Sequence, residues 1–179
     1  MAPSRTSCLA LVAFAGCAPV HTVEAVPGWP HVRYDRTMAD GAWSPEDVAH
    51  VLDVEARDEP DARFSVALSR LEVVVIDNDF SSWQAAAFAA GARVEVGRGD
   101  EHLRDADAGV TDAERWRVLV ALRRPDGSAR SLGSSALVHE LEHIRCAALY
   151  GDADVNHGDA PGPWDAGDDA RILRVTSAL

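Results

Sequence analysis

Residues 136–145 (ALVHELEHIR) constrain the fold of this 179-residue chain more than any other stretch. Apolar residues recur in and just beyond them at the three- and four-residue spacing of an α-helix: Leu137, Leu141, Ile144 and Ala148. The pattern predicts an amphipathic helix that packs one face on a core. Ser134 or Ser135 can cap its start, and Gly151 after the last periodic residue is a stop signal.

The other face of this predicted helix carries His139, His143 and Tyr150. Residues four apart lie one above the other on a helix, so the two histidines can offer imidazole nitrogens to a single Zn²⁺. Glu140 lies between them, placed to take a proton from a water on the metal. Chance produces His-Glu-x-x-His in roughly one or two of every hundred such chains, so a coincidental pair of histidines is the alternative.

The motif His139-Glu140-Leu141-Glu142-His143 resembles that of the zincin metallopeptidases. The resemblance implies that His139 and His143 are ligands of one catalytic Zn²⁺ and that Glu140 is the general base of peptide-bond hydrolysis. It also implies an α+β, zincin-like fold, in which a small mixed or antiparallel sheet packs on the active-site helix and one or two further helices. The sequence also predicts strands at 115–123 and 129–132, which would form a hairpin directly before the motif helix. Zincins have their elements in the same order.

A third metal ligand is expected downstream of His143. No Glu occurs between His143 and the end of the chain, which excludes the gluzincin arrangement with a downstream Glu ligand. Cys146 and Leu149 stand where the metzincin arrangement has Gly and His, which excludes that one as well. His157 follows His143 after thirteen intervening residues, enough for the helix to end and a loop to fold back. This spacing, with Gly158 and Trp164 beyond, is similar to that of SprT-like zincins. We carry over the ligand geometry and not the DNA-linked role of that branch.

Carboxylates compete with His157 for the third position, since they also bind zinc: Asp152, Asp154 and Asp159. If His157 is the ligand, a neighbour such as Asp154 suits a hydrogen bond to an imidazole N–H. Tyr150 and Arg171 are candidate donors to charge on the transition state, although both also fit a surface position. Glu142 is expected to be solvated.

The first 17 residues read as an export signal. Arg5 precedes a short apolar run at residues 8–15, which is too short to span a bilayer as a helix. Phe14-Ala15-Gly16-Cys17 resembles the lipobox of bacterial lipoproteins, with Phe14 in place of the usual aliphatic residue. The resemblance implies cleavage before Cys17, lipidation of that residue and anchoring in the cell envelope. A plain secretory peptide that ends near Ala18 is the alternative.

Composition narrows the partners. The net charge is -12 and every basic side chain is an arginine, so neither a nucleic acid nor an anionic membrane surface is an expected partner. We expect a peptide or protein substrate, with the membrane reached only through the lipid anchor. Of three cysteines, Cys146 alone would remain unmodified in the mature chain, as a small buried hydrophobe. A lipid-anchored binding protein without turnover and a purely structural envelope protein are the other two functions considered.

The remaining pattern predicts a tether at residues 18–42 and one domain at 43–179. Ser44 and Pro45 begin a helix that should run to about Arg57. Residues 64–76 contain a β-branched run typical of a buried strand. Downstream we predict a helix at 82–90, a strand at 93–96, a surface loop at 97–112, a strand at 115–123, a turn at 125–127 and a returning strand at 129–132.

Overall fold

The computed structural model describes residues 21–37, 43–76, 109–121, 128, 131–132, 136–153 and 163–179. Within them the fold is α+β, with a five-stranded mixed sheet and four helices. The strands are β1 (His21–Val26), β2 (Trp29–Thr37), β3 (Glu72–Ile76), β4 (Gly109–Asp112) and β5 (Arg117–Ala121). The helices are α1 (Pro45–Asp58), α2 (Ala62–Leu68), α3 (Leu137–Tyr150) and α4 (Ala166–Thr176). The predicted class and mixed sheet are confirmed, with three helices beside the motif helix where we expected one or two.

The sheet has the strand order β1-β2-β3-β5-β4. Its three central strands, β2, β3 and β5, run parallel, and antiparallel neighbours flank them on both sides. Val73, Val74 and Val75 of β3 are all buried, as expected for a central strand covered on both faces. None of the helices in the described ranges is long and apolar enough to cross a membrane.

The structure corrects the predicted tether. Residues 21–37 form the hairpin β1–β2, whose turn contains Gly28 at a φ of +78°. Pro27 and Gly28, within the predicted tether, are therefore the turn residues of a hairpin. Tyr34 of β2 is buried and donates its hydroxyl to the Trp43 carbonyl at 2.7 Å, so the hairpin belongs to the same core as α1.

Helix α1 begins where its capping residues predict. Ser44 accepts a hydrogen bond from the Asp47 N–H, and the Asp47 carboxylate accepts one from the Ser44 N–H, which completes a capping box. The helix ends at Asp58, one residue beyond the predicted end. Its buried face contributes Val48, Val51 and Leu52 to the core.

The predicted strand at 64–76 is confirmed only in its second half. Most of its first half belongs instead to α2, whose N-cap residue Asp61 accepts the Arg63 N–H at 2.8 Å. Phe64, Ala67 and Leu68 are buried at helical spacing, which explains why this half is a helix.

Strand β5 confirms the core of the strand predicted at 115–123, whereas β4 corrects the predicted surface loop at its last four residues. Ser131 and Leu132 lie outside any strand, so the predicted return strand is not found at its described residues. The elements predicted at 82–90, 93–96 and 125–127, and the rest of the loop, lie outside the described residues.

Helix α3 is the predicted motif helix and occupies the centre of the described fold, in contact with α2, α4, β4 and β5. Leu137, Leu141 and Ile144 are fully buried, as the apolar stripe predicts. Gly151 ends the helix in the left-handed conformation, with its N–H donated to the Ala147 carbonyl. The N-cap residue is Ala136, without a side-chain cap, and the two predicted capping serines lie outside the described residues.

Candidate metal centre

The two histidines of α3 lie side by side, one helical turn apart. The ring centroids of His139 and His143 are 5.1 Å apart, and the ring planes are nearly perpendicular at 84°. His143 is buried, whereas His139 is only partly so. The predicted helical context of the motif is therefore confirmed, and it brings both imidazoles to one place at the surface of the core.

A backbone carbonyl fixes the tautomer of His143. Its Nδ1 lies 2.8 Å from the Ala153 oxygen, and because a carbonyl can only accept, Nδ1 carries the hydrogen and donates it. The lone pair of the neutral ring is then on Nε2, as metal-binding histidines require. The left-handed Gly151 makes this contact possible, because it turns the chain back after α3.

The buried Glu140 is held by β4. Thr111 Oγ1 lies 2.7 Å from Glu140 Oε2 and 3.0 Å from the Glu140 carbonyl oxygen. A Cβ on Gly109 would lie 2.5 Å from the Glu140 side chain, so only glycine leaves room for this carboxylate. Neither Gly109 nor Thr111 was predicted as a site residue, because the sequence predicts a surface loop at 97–112. The one local signal of β4 is a short Gly-Val-Thr segment, which is too short to reveal a strand.

An indole ring also contacts both histidines. Trp164 is 8% exposed, and its ring centroid lies 5.2 Å from that of His139 and 4.8 Å from that of His143. Its Nε1–H donates to Asp169 Oδ1 at 3.1 Å. We noted Trp164 only for its spacing from the motif and did not predict that it contacts the histidines.

A buried ionic network connects α3 to α1 and α4. The expectation that Glu142 is solvated is wrong, since it is fully buried and accepts hydrogen bonds from Arg145 and Arg171. The surface position considered for Arg171 is also wrong. Its guanidinium is buried between Glu142 on α3 and Glu55 on α1, and its Nε lies 3.0 Å from Asp58 at an angle unsuited to a hydrogen bond.

Burial dominates the acidity of these carboxyl groups. Desolvation raises the pKa of Glu55 to about 7, although the Arg171 charge opposes the change. Burial also raises the pKa of Glu142, against the charges of Arg171 and Arg145. The network joins α1, α3 and α4 and therefore fixes the helix that follows Trp164.

A second donor cluster contains Glu142, Cys146 and Asp168, whose ligand atoms lie within 4.8 Å of one another. Cys146 is buried, as expected. Both carboxylates already accept hydrogen bonds from Arg145, and Glu142 also accepts one from Arg171. Because these positive charges would repel a cation, we interpret the cluster as part of the ion-pair network.

Of the remaining predicted site residues, the structure describes Tyr150 and Asp152. Tyr150 is 59% exposed, with the Arg145 guanidinium 6.0 Å from its ring centroid. It lies seven residues after His143, roughly 10 Å farther along the helix axis. Asp152 is exposed. Four other predicted residues lie outside the described ranges: Cys17, Asp154, His157 and Asp159.

Comparisons with protein-family models, with curated proteins and with solved structures each gave no match.

Proposed function

We propose that this chain is a zincin-type, zinc-dependent metallopeptidase that is exported and lipid-anchored at Cys17. The observation that carries the proposal is the hydrogen bond from His143 Nδ1 to the Ala153 carbonyl at 2.8 Å, next to a second imidazole one turn away. A buried imidazole N–H needs an acceptor with or without a metal, but here the acceptor is placed so that the other ring nitrogen, Nε2, keeps its lone pair. A zinc ligand requires this arrangement, because its second nitrogen must keep a lone pair.

The donor set fits zinc. Neutral imidazoles are among its usual ligands, and three protein ligands with one open position are typical of catalytic sites. His139 and His143 supply two, and the third is proposed to be His157, with Asp152, Asp154 or Asp159 as alternatives. When bound, the ion would supply Lewis-acid polarisation of the substrate carbonyl and activation of a water molecule.

Glu140 is proposed to accept the proton from that water. A general base must be positioned within hydrogen-bond reach of the proton it removes. Thr111 restrains the Glu140 carboxylate through the 2.7 Å contact with Oε2, and the buried position of Glu140 excludes much of the bulk solvent. The network that buries Glu142 keeps the second acid of the motif away from this role.

The position of β4 favours a peptide as substrate. Within the described residues β4 pairs only with β5, so its other side is an edge of the sheet next to Glu140. The N–H and C=O groups of such an edge can hold an extended peptide by adding it as a further strand. A scissile bond held in this way would lie close to the proposed base.

The test combines zinc content with cleavage of an unstructured protein. We expect about one zinc per parent chain, retained without cleavage in Glu140→Gln and lost in His139→Ala. His50→Ala is the matched control, because His50 is an exposed histidine on α1. Absence of stoichiometric zinc in the parent, or equal cleavage by Glu140→Gln, would contradict the proposal. Zinc without cleavage in the parent would support the non-catalytic binding protein instead.

The proposed anchor is tested separately. Incorporation of a labelled fatty acid by the parent, but not by Cys17→Ser, is the expected result. Equal labelling of the two proteins would remove Cys17 as the lipidation site without affecting the proposed chemistry.

A further inference from the structure

We propose that Trp164 is a positioning residue that holds the imidazoles of His139 and His143 in the orientation that one zinc ion requires. The inference rests on the proposed function and extends it to a residue outside the motif. Its basis is that one nearly buried indole contacts both rings, at centroid distances of 5.2 Å and 4.8 Å. A single ring that contacts both imidazoles restricts both at once.

The indole is itself fixed. Its Nε1–H donates to Asp169 Oδ1 at 3.1 Å, which limits rotation of the ring about its side-chain bonds. Only 8% of Trp164 is exposed, so neighbouring atoms surround most of its surface. A large aromatic side chain with two rotatable bonds loses little freedom when it is held in this way, and it makes a rigid support.

The backbone of Trp164 is anchored to the helix that presents the histidines. The next residue, Asp165, is the N-cap of α4, and its N–H donates to Asp168 Oδ2 at 2.6 Å. The other oxygen of Asp168 accepts a hydrogen bond at 2.8 Å from Arg145, two residues after His143 on α3. The path from His143 to Trp164 therefore runs through one ion pair and one capping box, all within the described residues.

The change in zinc affinity on removal of Trp164 distinguishes an indole that supports the imidazoles from one that blocks the metal position. If the indole orders the imidazoles, removing it leaves the rings free to adopt other rotamers. Zinc binding must then order the rings, which lowers the affinity. If the indole instead blocks the metal position, its removal raises the affinity. Loss of a group that orients a metal ligand usually weakens metal binding about 10- to 100-fold.

The experiment measures the zinc dissociation constant of the full chain by competition with a chromophoric chelator. Trp164→Ala is expected to weaken binding about 10- to 100-fold, with Trp164→Phe between it and the parent. Trp29→Ala is the matched control, because Trp29 also donates its indole N–H to an aspartate, Asp53 on α1. The control should bind zinc like the parent. The visible spectrum of bound Co²⁺ provides a second readout, and we expect it to change in Trp164→Ala alone.

Asp169→Ala keeps the test decisive if Trp164→Ala does not fold. Asp169 is exposed, and its removal frees the indole N–H, so a smaller loss of zinc affinity is expected. Unchanged or tighter zinc binding by Trp164→Ala, or by Asp169→Ala where the first variant is unfolded, would overturn the positioning role alone. Equal weakening by the Trp29 control would overturn it as well. A parent chain that binds no zinc would overturn both this inference and the proposed function.

Discussion

Replacing Arg171 with methionine should destabilise the protein strongly, because two buried carboxylates would lose their shared cation. Arg171 lies in α4 and pairs with Glu55 on α1 and Glu142 on α3, both fully buried. Removing one partner of a buried ion pair typically costs about 3–5 kcal/mol of unfolding free energy. Methionine fills much of the same volume, so the loss reports charge more than packing. Urea unfolding at pH 8 measures it.

Arg174→Met is the matched control on the same helix. Its side chain is 60% exposed and pairs with Asp58, so its loss should cost at most about 1 kcal/mol. Neutralising both carboxylates, by adding Glu55→Gln and Glu142→Gln to Arg171→Met, should recover most of the lost stability. Equal costs for the two arginine variants, or no recovery in the triple variant, would refute the electrostatic explanation.

Three further predictions concern Glu55, Gly109 and Ile144. Burial raises the pKa of Glu55 from 4.5 to about 7, so the folded state holds this proton more tightly than the unfolded state does. About 3 kcal/mol of unfolding free energy should therefore be lost as the pH rises from 4.5 through 7. Urea unfolding at pH 5 and pH 8 should show this decline in the parent and not in Glu55→Gln; parallel declines would contradict it. Gly109→Ala should displace Glu140 and reduce cleavage about 100-fold while zinc content stays unchanged; normal cleavage would exclude this crowding. Ile144→Ala should lower the unfolding free energy by about 2–5 kcal/mol in the same urea assay, because Ile144 is fully buried. The control Val66→Ala, at a half-exposed residue, should lower it by less than about 1 kcal/mol, and similar losses for the two variants would contradict the burial of Ile144.

Elements with local signals were predictable from the sequence. Ser44 and Pro45 mark the start of α1, and Gly151 marks the end of α3, because caps and left-handed turns are properties of a few adjacent residues. The hairpin at 21–37 and strand β4 were missed. A strand of four residues such as β4 becomes one only through pairing with β5, and that pairing is set by the rest of the sheet.

The sequence alone determined the helix of the motif and the spacing of His139, Glu140 and His143, since a helix puts residues four apart on one face. Tertiary structure decided what surrounds them. The Ala153 carbonyl, Thr111 and Trp164 arrive from three other segments, and no spacing within the motif encodes those approaches. Tertiary structure also decided the environment of Glu142, which has the same side chain as Glu140. Glu142 is buried against two arginines because α4 packs on that side of α3. Side-chain chemistry follows from the sequence, whereas the environment that tunes it depends on which distant segments pack together.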